Sequence, residues 1–498
     1  LTLVHPLSAY THLLHRLVLF DHYVVLQKFP VAAFRLTNRS LNWGPQRLTM
    51  QDHATQTGRQ SGDEFLQVLV FWDLVVYGLA YISPIGPFST WGYANALSGG
   101  AAPLSYALAA AGLLLTALSY SAMSREVPGS GSAYTYAHAS MGGVAGFMTG
   151  WMLLLDYLLL PALMYVFFGV SMSAVFPEVP RWIWIVAVAA YNIAVNWFGI
   201  RTSARLNIAT LIMQFLILFA VMGFALYKMR TTGIPTFTIN AWWGPDSSAK
   251  GLFSAISLCV MAYLGFDAIT TLSGEVRPAQ RHLVGRAVLT TLAFIAVLAV
   301  LQVWIFVDLA AGFHFKDLAT ASFEIVSARI DPFLAEATAV AGSLILAVSI
   351  TPTMVAAVSR VLHSMASHGE MPKFLAYVHP KYRVPSLATL TSGALSVAVA
   401  ILLSEHFDVL TSMVNVGALA AFISVNAAVI AYFRWQRRSG NYLRHLVLPM
   451  FGIAVLLAVI SQMSIVGLAV GATWAVIGFI VCVFLRASGA KLVEHSLD

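Results

Sequence analysis

Apolar runs of about 20 residues, the length that carries a helix across a bilayer, follow one another from residue 65 onward. Twelve fall near 66–93, 102–122, 145–175, 181–199, 204–227, 251–274, 284–309, 333–362, 385–403, 408–433, 446–465 and 468–486. The pattern predicts an all-α polytopic membrane protein. Two of the runs are interrupted. The first contains Leu79-Ala-Tyr-Ile-Ser-Pro-Ile-Gly-Pro-Phe-Ser-Thr90, and the second Val260-Met-Ala-Tyr-Leu-Gly-Phe-Asp-Ala-Ile-Thr270, which sets Gly86 and Gly265 179 residues apart. Lipid offers no replacement for a lost backbone hydrogen bond, so bare backbone at membrane depth is tolerated where it lines a cavity. A matching pair of breaks in two halves of such a chain points to a transporter's substrate site.

The segments between runs sort by charge. Sixteen Lys and Arg fall on one side, from Arg125 through Arg201, Arg277, Arg360 and Arg434 to Lys491, and six on the other, from Arg181 to Arg329. Positive-inside logic places both termini in the cytoplasm of a plasma-membrane protein. A cytoplasmic basic face also accounts for the net charge of +7 without any nucleic acid. With 59% hydrophobic and 10% charged residues, most of the surface is meant for lipid. Cys259 and Cys482 both lie inside apolar runs and give neither a disulfide framework nor a metal site. No cofactor is expected. The absence of a phosphate-binding loop argues against ATP-driven transport by this chain alone. No nucleophile or metal-ligand cluster within the spans suggests an enzyme. Residues 1–64 read as an amino-terminal extension and cytoplasmic tail, with 1–49 non-native or disordered and Met50 the initiator; 487–498 read as a second tail.

The breaks suggest their own chemistry. Half-helix amino termini suit a carboxylate, whereas carboxyl ends and unwound carbonyls suit a cation. In Ser83-Pro-Ile-Gly-Pro87, Pro84 and Pro87 remove two N–H donors from the place where a carboxylate would want them. This favours an amine. An ionised Asp at a helix centre costs about 2.5–3.5 kcal/mol on insertion scales and so faces the interior. Asp156, in the middle of 145–175, reads as the partner of a substrate ammonium, as a proton carrier or as a hydrogen-bonded structural residue. Asp267 reads as a cap of the second half-helix or a direct substrate contact. The candidate substrate-binding set is Ser83, Ile85, Gly86, Phe88, Asp156, Tyr157, Tyr263, Gly265, Phe266 and Asp267. Tyr81 joins the aromatic residues able to close over a cation. Asp73 reads as a gate or ion-pair residue, and Glu275, just before Arg277 and Arg281, as part of a salt-bridge gate. Ser349, Thr351 and Thr353 carry hydroxyls that either coordinate a cation or bond their own backbone.

Four stretches together resemble the amino acid–polyamine–organocation (APC) permease superfamily. They are Arg125-Glu-Val-Pro-Gly-Ser-Gly-Ser-Ala-Tyr-Thr-Tyr136 with Gly146-Phe-Met-Thr-Gly-Trp151, Phe198-Gly-Ile-Arg-Thr-Ser-Ala-Arg-Leu-Asn207, Gly265-Phe-Asp-Ala-Ile-Thr-Thr-Leu-Ser-Gly-Glu275, and Ser359 to Pro372 continuing into Val378-His-Pro380. Gly265 to Ser273 and Leu155 to Pro161 look most like the putrescine-importer-like members. The resemblance implies a five-plus-five inverted-repeat, leucine-transporter-like fold of about 12 transmembrane helices with helices 1 and 6 broken. It implies a ten-helix core over 65–435 and two peripheral helices over 436–486. It also implies a secondary active permease for a polyamine or an amino acid, with the lipid bilayer and a coupling proton as its other partners. Counting from the shared Ser-Ala-Arg-Leu-Asn pattern, Gln214 stands where some cationic-amino-acid relatives carry a Lys, so any proton must ride on an acid. An amino-acid permease or exchanger remains the alternative within this class. A substrate-sensing receptor on the same fold is the alternative outside it.

Overall fold

The computed structural model describes residues 65–487 except 128, 177, 199, 317, 319, 346–349, 405–406 and 464, all within one compact unit. The expectations for residues 1–64, for the tail from 488 and for Ser349 fall outside them.

The described residues are helical, with no strand beyond a single bridge between Leu69 and Val276. In chain order the α-helices are α1 (Phe71–Ile82), α2 (Pro87–Ser98), α3 (Ala102–Glu126), α4 (Ala133–Met141), α5 (Gly143–Val175), α6 (Arg181–Trp197), α7 (Ile200–Thr232) and α8 (Ala249–Val260). Then come α9 (Val284–Leu309), α10 (Ala321–Arg329), α11 (Pro332–Ile345), α12 (Thr351–Ser367), α13 (Ser386–Leu402), α14 (Phe407–Val429), α15 (Leu448–Ile460) and α16 (Ile465–Ala487). Among the described residues, eight helical stretches are long and apolar enough to cross a membrane. The expected run 66–93 resolves into two shorter helices, α1 with α2, and the described parts of the run 333–362 are α11 and α12. The run 251–274 starts as α8 and finishes as 3-10 helix, over Met261–Tyr263 and Asp267–Glu275.

Both breaks have local causes. In the first, Pro87 opens α2, where its missing N–H costs nothing. The residue that leaves ordinary φ/ψ space here is Ser83, at φ 67°, while Gly86 keeps a helical φ of −52°. In the second, Gly265 has φ 115°. A Cβ there would lie 2.1 Å from the ring of Tyr81, so the two broken segments touch where only glycine fits.

α5 is the central post. It packs against α4, α6, α12, α13, α14 and α16. Pro161 lies inside it and leaves the carbonyl of Tyr157 without its helical donor. α14 approaches at Gly417, whose added Cβ would come within 2.7 Å of the Asp156 backbone nitrogen. On another face, Trp151 of α5 stacks on Trp474 of α16 at 4.7 Å and 19°. Each indole N–H donates to the other residue's carbonyl, at 3.0 and 2.9 Å.

Candidate functional site

Two buried acids stand at the centre of the molecule. Asp156 projects from α5 and Asp267 begins the 3-10 segment after Gly265, and both are less than 2% exposed. Tyr157 donates to Oδ2 of Asp267 at 2.6 Å, which joins α5 to the second break. The backbone N–H groups of Gly265, Asp267 and Ala268 lie near the same carboxylate, with that of Ala268 donating to the Gly265 carbonyl, so Asp267 sits where a half-helix amino terminus gathers negative charge. Asp156 and Asp267 lie near enough to repel one another when both are ionised. Among the described residues neither has a basic partner. One oxygen of each, and the hydroxyl of Tyr81, are buried with no hydrogen-bond partner among the described residues. Tyr81 faces both acids and packs 6.3 Å from Tyr157. Three orphaned polar atoms in one place is unusual in a folded interior, where nearly all such atoms are paired.

The first break reaches the neighbouring helices through Ser83, whose hydroxyl donates to Oε1 of Gln214 at 2.9 Å. Gln302 of α9 donates to the carbonyl of Pro84 at 3.2 Å. That amide, alone in an apolar helix, is a residue the sequence reading missed; its isolation among apolar neighbours was the available signal. Ile85 and Gly86 are half-buried in the turn itself. Phe266 packs at 5.9 Å from Tyr120 and 5.2 Å from Phe422, behind the acids.

Other expected members fall elsewhere. Phe88 meets Phe306 at 5.1 Å and Phe323 at 5.4 Å, beyond the break. Tyr263 donates to the carbonyl of Tyr106 at 3.0 Å, in the packing between α8 and α3. Thr351 accepts from Asn192 at 2.6 Å and Thr353 bonds the carbonyl of Ile350, so both are engaged within the protein. Asp73 accepts from the N–H of Val70 at 2.9 Å and caps α1.

Glu275 forms a salt bridge, but not with its neighbours in sequence. Its Oε1 meets Nε of Arg360 on α12 at 2.5 Å, with both side chains buried. Arg277 instead donates to the carbonyl of Val68. Beside this pair, Tyr77 donates to the carbonyl of Thr353 at 2.7 Å. At the opposite end α10 lies over α2. Trp91 donates to Ser322 at 2.5 Å, Ser322 bonds the carbonyl of Phe88, and Trp91 stacks on Phe306 at 5.6 Å. The acids are therefore covered from both ends.

The arrangement gathers bare backbone, two carboxylates and aromatic faces in one place. It offers no nucleophile–base pair, and no group of three metal-ligating residues occurs among the described residues. A family model described as amino acid permease matches residues 73–486. The low-affinity putrescine importer PlaP of Escherichia coli is 32% identical over 443 residues, covering 85% of this chain and 94% of PlaP. The branched-chain amino acid permease BcaP of Bacillus subtilis is 26% identical over 87% of this chain and 96% of its own length. Human cationic amino acid transporter 4 is 26% identical over 74% of this chain and 60% of its own. The chain belongs to the amino acid permease family of the APC superfamily, and is a multi-pass membrane transporter rather than an enzyme.

Proposed function

We propose that the chain imports a small organic cation, putrescine foremost, by alternating access in the plasma membrane. The observation that carries this reading is the pair Asp156 and Asp267, buried beside the two breaks with no cationic partner among the described residues. A buried charge needs a partner to offset its desolvation, and an ammonium group supplies one. The amino-terminal N–H groups after Gly265, which would suit an amino acid's carboxylate, already lie near the Asp267 side chain. Pro84 and Pro87 withhold donors at the first break. The name of PlaP points the same way.

In this reading α1 with α2, and α8 with its 3-10 continuation, are the broken first and sixth of twelve spans in a five-plus-five inverted repeat. The end that carries Glu275 and Arg360 faces the cytoplasm, as do both termini. Substrate enters after α10 lifts from α2, and leaves after the Glu275–Arg360 pair parts. A proton coupled to uptake would travel on the acid pair, since Gln214 does not titrate.

Uptake by purified protein in proteoliposomes tests the reading, with labelled putrescine, arginine and leucine, with and without a pH gradient. Putrescine should be taken up in preference to both amino acids. Asp156→Asn keeps the shape and removes the charge. It should weaken putrescine uptake at least roughly tenfold, the factor that about 1.4 kcal/mol of lost binding sets. Normal putrescine uptake by Asp156→Asn would remove the basis of the cation assignment. Uptake of leucine with putrescine ignored would replace the assignment by an amino-acid permease.

A further inference from the structure

A second cluster of ionisable groups lies away from the acids, at the arginine-rich end. α12 ends in a turn closed by glycine. Gly369, at φ 78°, bonds back to Ala366, and Glu370 bonds back to Met365. This is the helix stop in which a left-handed glycine satisfies the last carbonyls. The turn carries the Glu370 side chain inward until the residue is 3% exposed. There Oε1 lies 3.7 Å from Nε2 of His138 on α4. Neither carboxylate oxygen makes a well-formed hydrogen bond among the described residues. Tyr134, one turn earlier on α4, faces the same carboxylate. His368 lies 5.0 Å from the His138 ring, and its Nδ1 is 2.8 Å from the carbonyl of Ser364. From α16, Cys482 also lies within the field of Glu370, and Arg486 flanks Cys482.

We propose that Glu370 and His138 form a proton-operated latch, which holds the end of α12 against α4 while the pair keeps a proton and releases it when the proton leaves. The proton count is one whether it sits on the carboxyl beside a neutral imidazole or on the imidazole beside a carboxylate. Loss of that proton leaves a bare carboxylate in a buried site, and moving apart restores it to water. Burial pushes the Glu370 carboxyl up from 4.5 to about 7, and the Tyr134 hydroxyl opposes this in part. A carboxyl raised in the closed state stabilises that state fully below its free value. The stabilisation is lost as pH rises toward 7. The latch is thus held at acid pH and slack at neutral and alkaline pH.

Its position gives it leverage. The Arg360 that pairs with Glu275 sits on the same α12. At the start of α4, the hydroxyl of Ser132 accepts from Thr270 at 2.9 Å, in the segment that begins with Asp267. The latch therefore joins the two elements that flank the closed end. Acidification on that side should hold the end shut and slow turnover.

Hydrogen–deuterium exchange on the full chain in lipid nanodiscs tests this at pH 5.5, 6.5, 7.5 and 8.0, with rates corrected for intrinsic exchange. The segments to watch are 133–141 and 364–370. Opening of both should rise with pH by up to about tenfold per unit and level off above about 7. Glu370→Gln keeps the shape of the protonated carboxyl and should stay protected at every pH. If that variant does not accumulate, His138→Gln decides. Without the imidazole to stabilise the carboxylate, the midpoint should rise by at least about half a pH unit. Flat exchange in the wild-type protein, wild-type titration in Glu370→Gln, or an unmoved midpoint in His138→Gln would each overturn the latch.

Discussion

At the scale of single residues, the two glycines that mark the breaks are not equivalent. A Cβ at Gly86 would come 3.0 Å from the Ser83 carbonyl oxygen, a tight contact that small shifts relieve. A Cβ at Gly265 would strike the Tyr81 ring at 2.1 Å, at a φ of 115°. Gly265→Ala should therefore lower transport at least roughly tenfold, whereas Gly86→Ala should stay within about threefold of wild type, since overpacking costs about 1–3 kcal/mol only where neighbours cannot yield. Initial uptake rates normalised to membrane-inserted protein measure both; equal losses would refute the distinction. Tyr157→Phe removes the donor to Asp267 and should weaken substrate binding by at least about tenfold, because hydrogen bonds to charged groups contribute about 1.5–3 kcal/mol. A scintillation-proximity binding assay reports that change directly. Asp156 and Asp267 were legible in the sequence because an acid in an apolar run needs a reason to be there. The approach of Tyr81 to Gly265 was not, since it joins residues from different helices and leaves no local pattern.

At the scale of elements, the breaks themselves were legible, because proline and glycine act through their own backbone. Their form was less so. The segment after Gly265 continues as 3-10 rather than α-helix, and in the first break the positive φ falls at Ser83 and not at Gly86. The partner of Glu275 was also hidden. Arg277 and Arg281 are near in sequence, but α12 brings Arg360 from 85 positions away, and a fully buried guanidinium outcompetes neighbours that are less buried. Truncating one member leaves the other charge buried and unpaired, at a cost of about 3–5 kcal/mol, while replacing both with apolar groups is often neutral. Arg360→Met should accordingly lower the melting temperature of the detergent-solubilised protein, and Arg360→Met with Glu275→Leu should recover most of it. A double variant as unstable as the single one would mean that the pair is not a self-contained unit.

At the scale of the whole molecule, the charge bias along the chain predicts which way it faces. A single cysteine introduced at Lys250 should react with an impermeant maleimide from outside intact cells, and one at Arg438 only after permeabilisation. Labelling of both from the same side would remove the proposed orientation. The closure of both ends over the acids could not be read from the sequence, because it depends on α10 meeting α2 and α12 meeting the segment 267–275, and neither contact is encoded locally. What could be read was the chain's division into apolar runs, since each must satisfy its own backbone in lipid. The reciprocal pair Trp151 and Trp474 gives this molecule an optical handle as well as a fastening. Two indoles stacked at 4.7 Å in fixed orientation couple their electronic transitions. The near-ultraviolet circular dichroism should therefore carry a signature of α16 seated on α5, one that Trp474→Phe erases and that reports, in real time, whether this helix stays docked while the core moves.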